Sequence, residues 1–156
     1  MRLIKSLKAA ATLINKQSGK YDSGGKSYSV SFEISVAGAD LNPPAQISAE
    51  KGANGIKIVK NGSLSSVDGN KILASTDTND AMILIENDYI NDNIVIAHEI
   101  GHLLGAGLDS DGKKNHSESG LMQATRTEEQ DPTFIDANYR EIIENGKGNK
   151  LKKKKR

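Results

Sequence analysis

His98, Glu99 and His102, in the run His98-Glu99-Ile100-Gly101-His102, are the residues of this chain best suited to chemistry. Residues four apart on an α-helix share one face, so both imidazoles can reach a single metal ion. Glu99 lies one residue on, beside such an ion rather than on it. From there its carboxylate can take a proton from a water that zinc has acidified, and can later pass that proton to a leaving amine. His-Glu-x-x-His on a helix is the zinc-binding pattern in which these roles occur together. A merely structural pair would bury two imidazoles among Ile94, Val95, Ile96, Ile100, Leu103 and Leu104 without polar partners, which costs free energy.

Those side chains need a helix with a start and a stop. Asn91-Asp92-Asn93 offers N-cap chemistry for a helix beginning at Ile94, and Gly105 ends it after Leu104. Upstream, residues 28–36 alternate Tyr28, Val30, Phe32, Ile34 and Val36 with polar neighbours, which predicts a half-buried strand. Residues 55–60, 71–76 and 81–86 predict three more, the first closed by the Asn61-Gly62 turn pair. Residues 21–26 read as a turn-rich break, and Asn42-Pro43-Pro44 as a loop. Helical spacing of Leu3, Ile4, Leu7, Ala10, Ala11 and Ile14 predicts an amphipathic first helix. It opens with basic residues, as a targeting segment would, but Lys8 interrupts the apolar stretch and no clear small-residue cleavage site follows. Residues 136–145 predict a closing helix stopped by Gly146. The expected class is α+β, a small four-stranded sheet with an N-terminal, a central and a C-terminal helix.

A chain of 156 residues suits one domain, here residues 1–146. With two Phe, four Tyr and no Trp, its core must be largely aliphatic. The absence of Cys excludes a disulfide scaffold, a thiolate zinc finger and a thiol nucleophile. No apolar run is long enough for a transmembrane helix, so no membrane span is expected. All 20 acidic residues precede Gly146, whereas the last ten positions carry Lys147, Lys150, Lys152, Lys153, Lys154, Lys155 and Arg156. An acidic body with a solvated, disordered basic tail over 147–156 is not the charge pattern of a nucleic-acid-binding domain.

A catalytic zinc usually takes three protein ligands, and the chain has one further histidine, His116. It stands in Asn115-His116-Ser117-Glu118-Ser119-Gly120-Leu121-Met122. The run His98 to Gly105, then a His-Ser dipeptide and a Leu-Met pair, resembles the metzincin clan of zinc endopeptidases, the matrixins in particular. Their extended motif is HExxHxxGxxH, followed by a methionine in a tight turn beneath the metal. The resemblance implies a zincin-like fold, Zn2+ as cofactor, His98 and His102 as helix ligands and Glu99 as general base. Gly105 becomes the glycine where the chain leaves the helix, and Met122 the Met-turn residue. Residues 71–76 and 81–86 resemble the clan's edge strand and its antiparallel neighbour. By that resemblance Leu73, Ala74 and Ser75 would bind an extended peptide as an added strand.

The departures matter. The clan's third ligand falls three residues after the glycine, at Leu108, which cannot bind zinc. Either an insertion over residues 108–115 displaces the ligand to His116, or Asp109 serves instead. His116 is favoured because the His-Ser and Leu-Met context returns with it. Within the insertion Asp109-Ser110-Asp111-Gly112 reads as an Asp-Gly turn, since the distal bidentate Glu of a calcium loop is missing. After Met122 stand Gln123 and Ala124 rather than tyrosine or proline, which leaves Tyr139 as a source of a transition-state hydrogen bond.

The leading expectation is a zinc-dependent endopeptidase acting on a protein or peptide substrate. A gluzincin-type alternative would draw its third ligand from Glu128, Glu129, Glu141 or Glu144. A non-catalytic metal-containing binding module is the third reading, although it gives Glu99 no task. Small cysteine-free domains of this kind resemble toxin modules of bacterial polymorphic secreted proteins. That implies secretion or delivery outside the producing cell, and restraint by a separate inhibitor or immunity protein.

Overall fold

The computed structural model describes residues 3–36, 46–47, 54–64, 72–77 and 82–147. Asn42-Pro43-Pro44 and the tail beyond Lys147 lie outside the described residues. Helix α1 (Leu3–Asn15) forms as its spacing dictates, with Leu3, Ala10, Ala11 and Ile14 buried and Lys5 and Lys8 exposed. Among the described residues no helix is long and apolar enough to cross a membrane.

Two strands follow, where a break had been expected before the first strand. β1 (Ser18–Ser23) and β2 (Lys26–Ser31) pair antiparallel, from Ser18 opposite Ser31 to Ser23 opposite Lys26. Gly24 and Gly25, at φ 59° and 77°, make the two-residue turn whose twist suits a hairpin. The strand expected over 28–36 therefore starts earlier, and its ladder stops at Ser31 because β1 has no residue left to pair. Phe32 and Ile34 still pack on the core. Asn15 replaces the missing ladder: its Nδ2 donates to the Ile34 carbonyl at 3.0 Å, and its Oδ1 accepts from the Ile34 amide at 2.8 Å.

A separate four-stranded sheet has the order β3 (Gln46–Ile47), β4 (Gly55–Val59), β6 (Met82–Glu86), β5 (Ala74–Asp77). β4 and β6 run parallel, while β5 lies antiparallel at the edge, Ala74 opposite Ile85 and Asp77 opposite Met82. This corrects the expectation of one sheet that included residues 28–36. That strand belongs to the hairpin, and its place is taken by β3, two residues long and too short for any alternation to reveal.

Helix α2 (Asn93–Leu104) packs against α1 and against β5 and β6. The Asp92 carboxylate accepts from the amides of Ile94 at 3.0 Å and Val95 at 3.1 Å, an N-cap typically worth about 1 kcal/mol. Arg126 holds the same carboxylate at 3.1 Å. Gly105 ends the helix in the left-handed region at φ 104°, its amide returning to the carbonyls of Gly101 and His102. Around α2 the core is mainly aliphatic: Leu3, Ile14, Ile56, Ile83, Ile85 and Ile96 are buried.

The closing helix α3 (Asp136–Lys147) starts where the Asn138 Oδ1 accepts from the Ile135 amide at 2.9 Å, half of a capping box. It runs through Gly146 to Lys147, so the expected helix stop at Gly146 is corrected. Gly146 does not adopt the positive φ of a terminator, and a glycine in a last turn costs only about 1 kcal/mol. Tyr139 from α3 stacks with Phe32 at 6.3 Å and meets Phe134 edge-on at 5.9 Å. A Cβ on Gly19 would come within 2.6 Å of the Tyr139 ring, so that glycine lets β1 lie against α3.

Candidate metal centre

One turn of α2 separates His98 from His102, and their ring centroids are 4.8 Å apart. The Nδ1 of His98 lies 2.8 Å from the Leu121 carbonyl, and that of His102 lies 3.0 Å from the Ala106 carbonyl. Carbonyls accept only, so each Nδ1 carries the proton and each Nε2 keeps a free lone pair. Carbonyl partners of this kind fix both tautomer and ring orientation at metal sites. Gln130 adds a layer behind: its Nε2 donates to the Leu121 carbonyl at 3.1 Å and to that of Gly120 at 3.0 Å.

Residues 108–115 make a closed excursion. Asp109 accepts from the amides of Asp111 and Lys113, each at 2.9 Å, and Leu108 bridges to Lys114. Gly112 turns the chain at φ 78°, which gives Asp109 to Gly112 the character of an Asp-Gly turn. The Asn115 amide then donates to the Gly107 carbonyl at 2.6 Å, so the chain returns to the point it left. His116 follows directly, its Nε2 3.2 Å from the Nε2 of His102.

His98, His102 and His116 thus form a group that could hold a metal ion, with ligand atoms all within 4.8 Å of one another. Tetrahedral zinc with Zn–N bonds of about 2.0–2.1 Å places its ligand nitrogens roughly 3.3 Å apart. The donor set fits: among the described residues the group holds three imidazoles, the number of protein ligands a catalytic zinc usually takes. Asp109 is not in the group; its Oδ1 caps its own turn. Nor are Glu128, Glu129, Glu141 or Glu144. Glu141 instead accepts from the Gly107 amide at 3.0 Å and from Asn138 Nδ2 at 2.8 Å, holding α3 to the loop.

Below the histidines the fit is tight. Gly120, at φ 81°, opens a turn in which the Gln123 amide returns to the Gly120 carbonyl, and Met122 inside it is fully buried. A Cβ on Gly101 would collide with the Met122 Sδ and come 3.2 Å from Phe134. A Cβ on Gly107, already at φ 63°, would come 3.0 Å from the His102 ring. Both glycines are therefore needed for His102 and Met122 to sit as they do.

Glu99 is 5% exposed. The Thr76 hydroxyl, from β5, lies 2.6 Å from its Oε2 and 3.1 Å from its backbone carbonyl. Burial raises the proton affinity of this carboxyl; the Thr76 hydrogen bond and the charge on Lys114 oppose that rise. Burial lowers the pKa of all three histidines, most for His102, where the neighbouring imidazoles add to it. Neutral imidazoles are the ligand form.

An open cleft of about 560 Å³ runs past these residues. Leu73, Ala74 and Ser75 line it with His98, Glu99, His102 and His116, so the edge strand does border the candidate site. Tyr139 does not: its ring is packed with Phe32 and Phe134, which corrects the role suggested for it. Thr76, Lys114, Gln130 and Gly107 were not singled out by sequence. Two glycines flanking Ala106 were the visible hint for Gly107; the others carried no signal.

The three histidines are the only ones in the chain, so acid titration near their usual range reports on this cluster. Their folded-state pKa lies below the unfolded 6.5, so the unfolded chain binds more protons and the fold loses stability as pH falls below about 6.5. Glu99, shifted upward, works the other way. In chelator-treated protein the urea midpoint is expected to fall between about pH 7.5 and about pH 5.5, since three groups oppose one. A flat or rising midpoint would contradict a cluster of neutral imidazoles. Compared with protein-family models, with curated proteins and with solved structures, the chain matches none of them.

Proposed function

We propose that this chain is a zinc-dependent endopeptidase of zincin-like fold. The observation that carries the reading is the convergence of His98, His102 and His116, two of them aimed by backbone carbonyls, with the Glu99 carboxylate one residue from the first. An antiparallel edge strand at the rim of the same cleft supports it. A zinc ion held by the three imidazoles would supply Lewis-acid polarisation of a carbonyl and acidify water.

The remaining work falls to the chain's own groups. The free side of the edge strand at Leu73, Ala74 and Ser75 lets an extended peptide pair with it, which orients the scissile bond along the cleft. Pairing falls chiefly at Ala74, since the Leu73 carbonyl already accepts from the Glu86 amide at 3.1 Å. Glu99 takes a proton from the attacking water and passes it to the amine as the peptide bond breaks. Its raised proton affinity suits that task, because a carboxyl must hold the proton between the two transfers. The Thr76 hydroxyl keeps the carboxylate in one orientation.

Hydrolysis of a peptide library, with and without chelator and after zinc is restored, tests the reading. Cleavage at internal bonds that chelator abolishes and zinc restores is the expected result. Cleavage indifferent to chelator overturns the metal's role, and metal binding without cleavage leaves a non-catalytic binding module.

A further inference from the structure

Lys114 comes from the inserted loop, two residues before His116, and its side chain crosses the cleft mouth. Its Nζ donates to the Ser75 Oγ on the edge strand at 3.0 Å. The backbone at its root is fixed by the Leu108 bridge and by the Asn115 amide on Gly107, so the ammonium is delivered to one place.

The charges lining the cleft are unevenly matched. Arg126 is paired with Asp92 at 3.1 Å. Among the described residues, Lys114 has a neutral hydroxyl as its partner and no carboxylate within ion-pair distance. Its ammonium lines the same cleft as His98, His102 and His116. Among the described residues the sole acidic one lining the cleft is Glu99, which Thr76 holds in place. A hydrogen bond between an ammonium and a carboxylate is roughly twice as strong as one to a neutral acceptor, so an incoming carboxylate displaces Ser75.

We propose that Lys114 selects substrates that present a carboxylate beside the scissile peptide bond. This names the substrate class for the endopeptidase reading and rests on it. The carboxylate comes either from an acidic side chain, as the endopeptidase reading requires, or from a free chain terminus, which would make the cleavage that of a carboxypeptidase. A charge placed to stabilise the transition state would instead favour all peptides equally, and the two roles separate by experiment.

Peptides that differ only by Glu or Gln at each position around the cleaved bond, and by a free or amidated C-terminus, supply the probes. The zinc-loaded protein is expected to favour one carboxylate-bearing member by about five- to tenfold in kcat/KM, a preference that raised salt diminishes. Preference for the Glu peptide identifies a side chain as the source; preference for the free acid identifies the terminus. Lys114→Glu should reverse the ratio and Lys114→Gln should erase it. The same peptides, titrated by fluorescence anisotropy against zinc-loaded Glu99→Gln protein, should show the same order of affinities.

An equal rate for every pair in the wild type overturns the proposal, as does a ratio unchanged in Lys114→Glu. If that variant does not fold, Lys114→Gln and the salt dependence of the wild-type ratio decide. Loss of kcat by one factor across all peptides makes Lys114 a transition-state group and also overturns it. Selective binding without cleavage supports the role of Lys114 and rejects the endopeptidase reading. Neither binding nor cleavage overturns both.

Discussion

Glu99→Gln is expected to retain stoichiometric zinc while kcat for peptide hydrolysis falls by about 10²- to 10⁴-fold, the range a general base contributes. Gln matches the size of Glu and can still accept from the Thr76 hydroxyl, so the geometry of α2 against β5 is preserved. The three imidazoles, and the carbonyls that aim His98 and His102, are untouched. What disappears is the capacity to take and return a proton. Metal content by elemental analysis, set beside steady-state rates, checks both halves. Retention of about a tenth or more of the wild-type kcat contradicts the base role.

The same substitution has a second, opposite-signed consequence. Burial raises the Glu99 pKa above its ordinary 4.5, so the folded state holds the proton more tightly than the unfolded chain. Stability is therefore lost as pH rises from the unfolded value through the folded one, and above it the buried, ionised carboxylate weakens the metal-free fold. Metal-free Glu99→Gln protein should melt above the wild type at about pH 7, and the gap should close below about pH 4.5. A functional group that costs stability where it works is the pattern expected of a reactive site rather than a structural one.

The helix bearing the site was legible because its signals are local. Asp92 caps it, Gly105 stops it, and the i, i+4 histidines need only helical geometry to meet. The edge strand was legible for a similar reason, since residues 74–77 and 82–86 are separated by a short polar link and pair with each other. His116 was harder. Its arrival depends on the Gly107–Asn115 and Leu108–Lys114 closures, which link residues across an insertion, yet the neighbouring Ser117 and Met122 carried enough context to mark it. Thr76 and Lys114 carried none, because each owes its place to the partner across the cleft, Glu99 or Ser75, many residues away in the chain. The two-sheet arrangement was hidden for the same reason. A hairpin turn of Gly24-Gly25 looks like any break, and Asn15 holding Ile34 is a contact between a helix end and a strand that no periodicity encodes.

His116→Ala is expected to weaken zinc binding by more than about 100-fold, the upper figure for losing a mere outer-shell partner of a ligand. The ring is exposed at the end of a loop, so its removal leaves the core intact and the loss should appear in a competition titration rather than in folding. Two companions assign the effect. Asp109→Asn removes the carboxylate that sequence offered as an alternative, but keeps the Oδ1 that caps the turn, and it should leave affinity unchanged. Glu141→Gln keeps an acceptor for the Gly107 amide and removes the best-placed carboxylate of the gluzincin alternative, and it too should leave affinity unchanged. If His116→Ala binds zinc as the wild type does while either companion fails, the third ligand is a carboxylate and the insertion is only a loop. If all three bind normally, two helix imidazoles suffice for the measured affinity. The closure of the loop at Gly107 and Asn115 then has no bearing on metal. The chain spends eight residues returning to the point where it left the helix, and His116 as a zinc ligand would give that detour a physical reason.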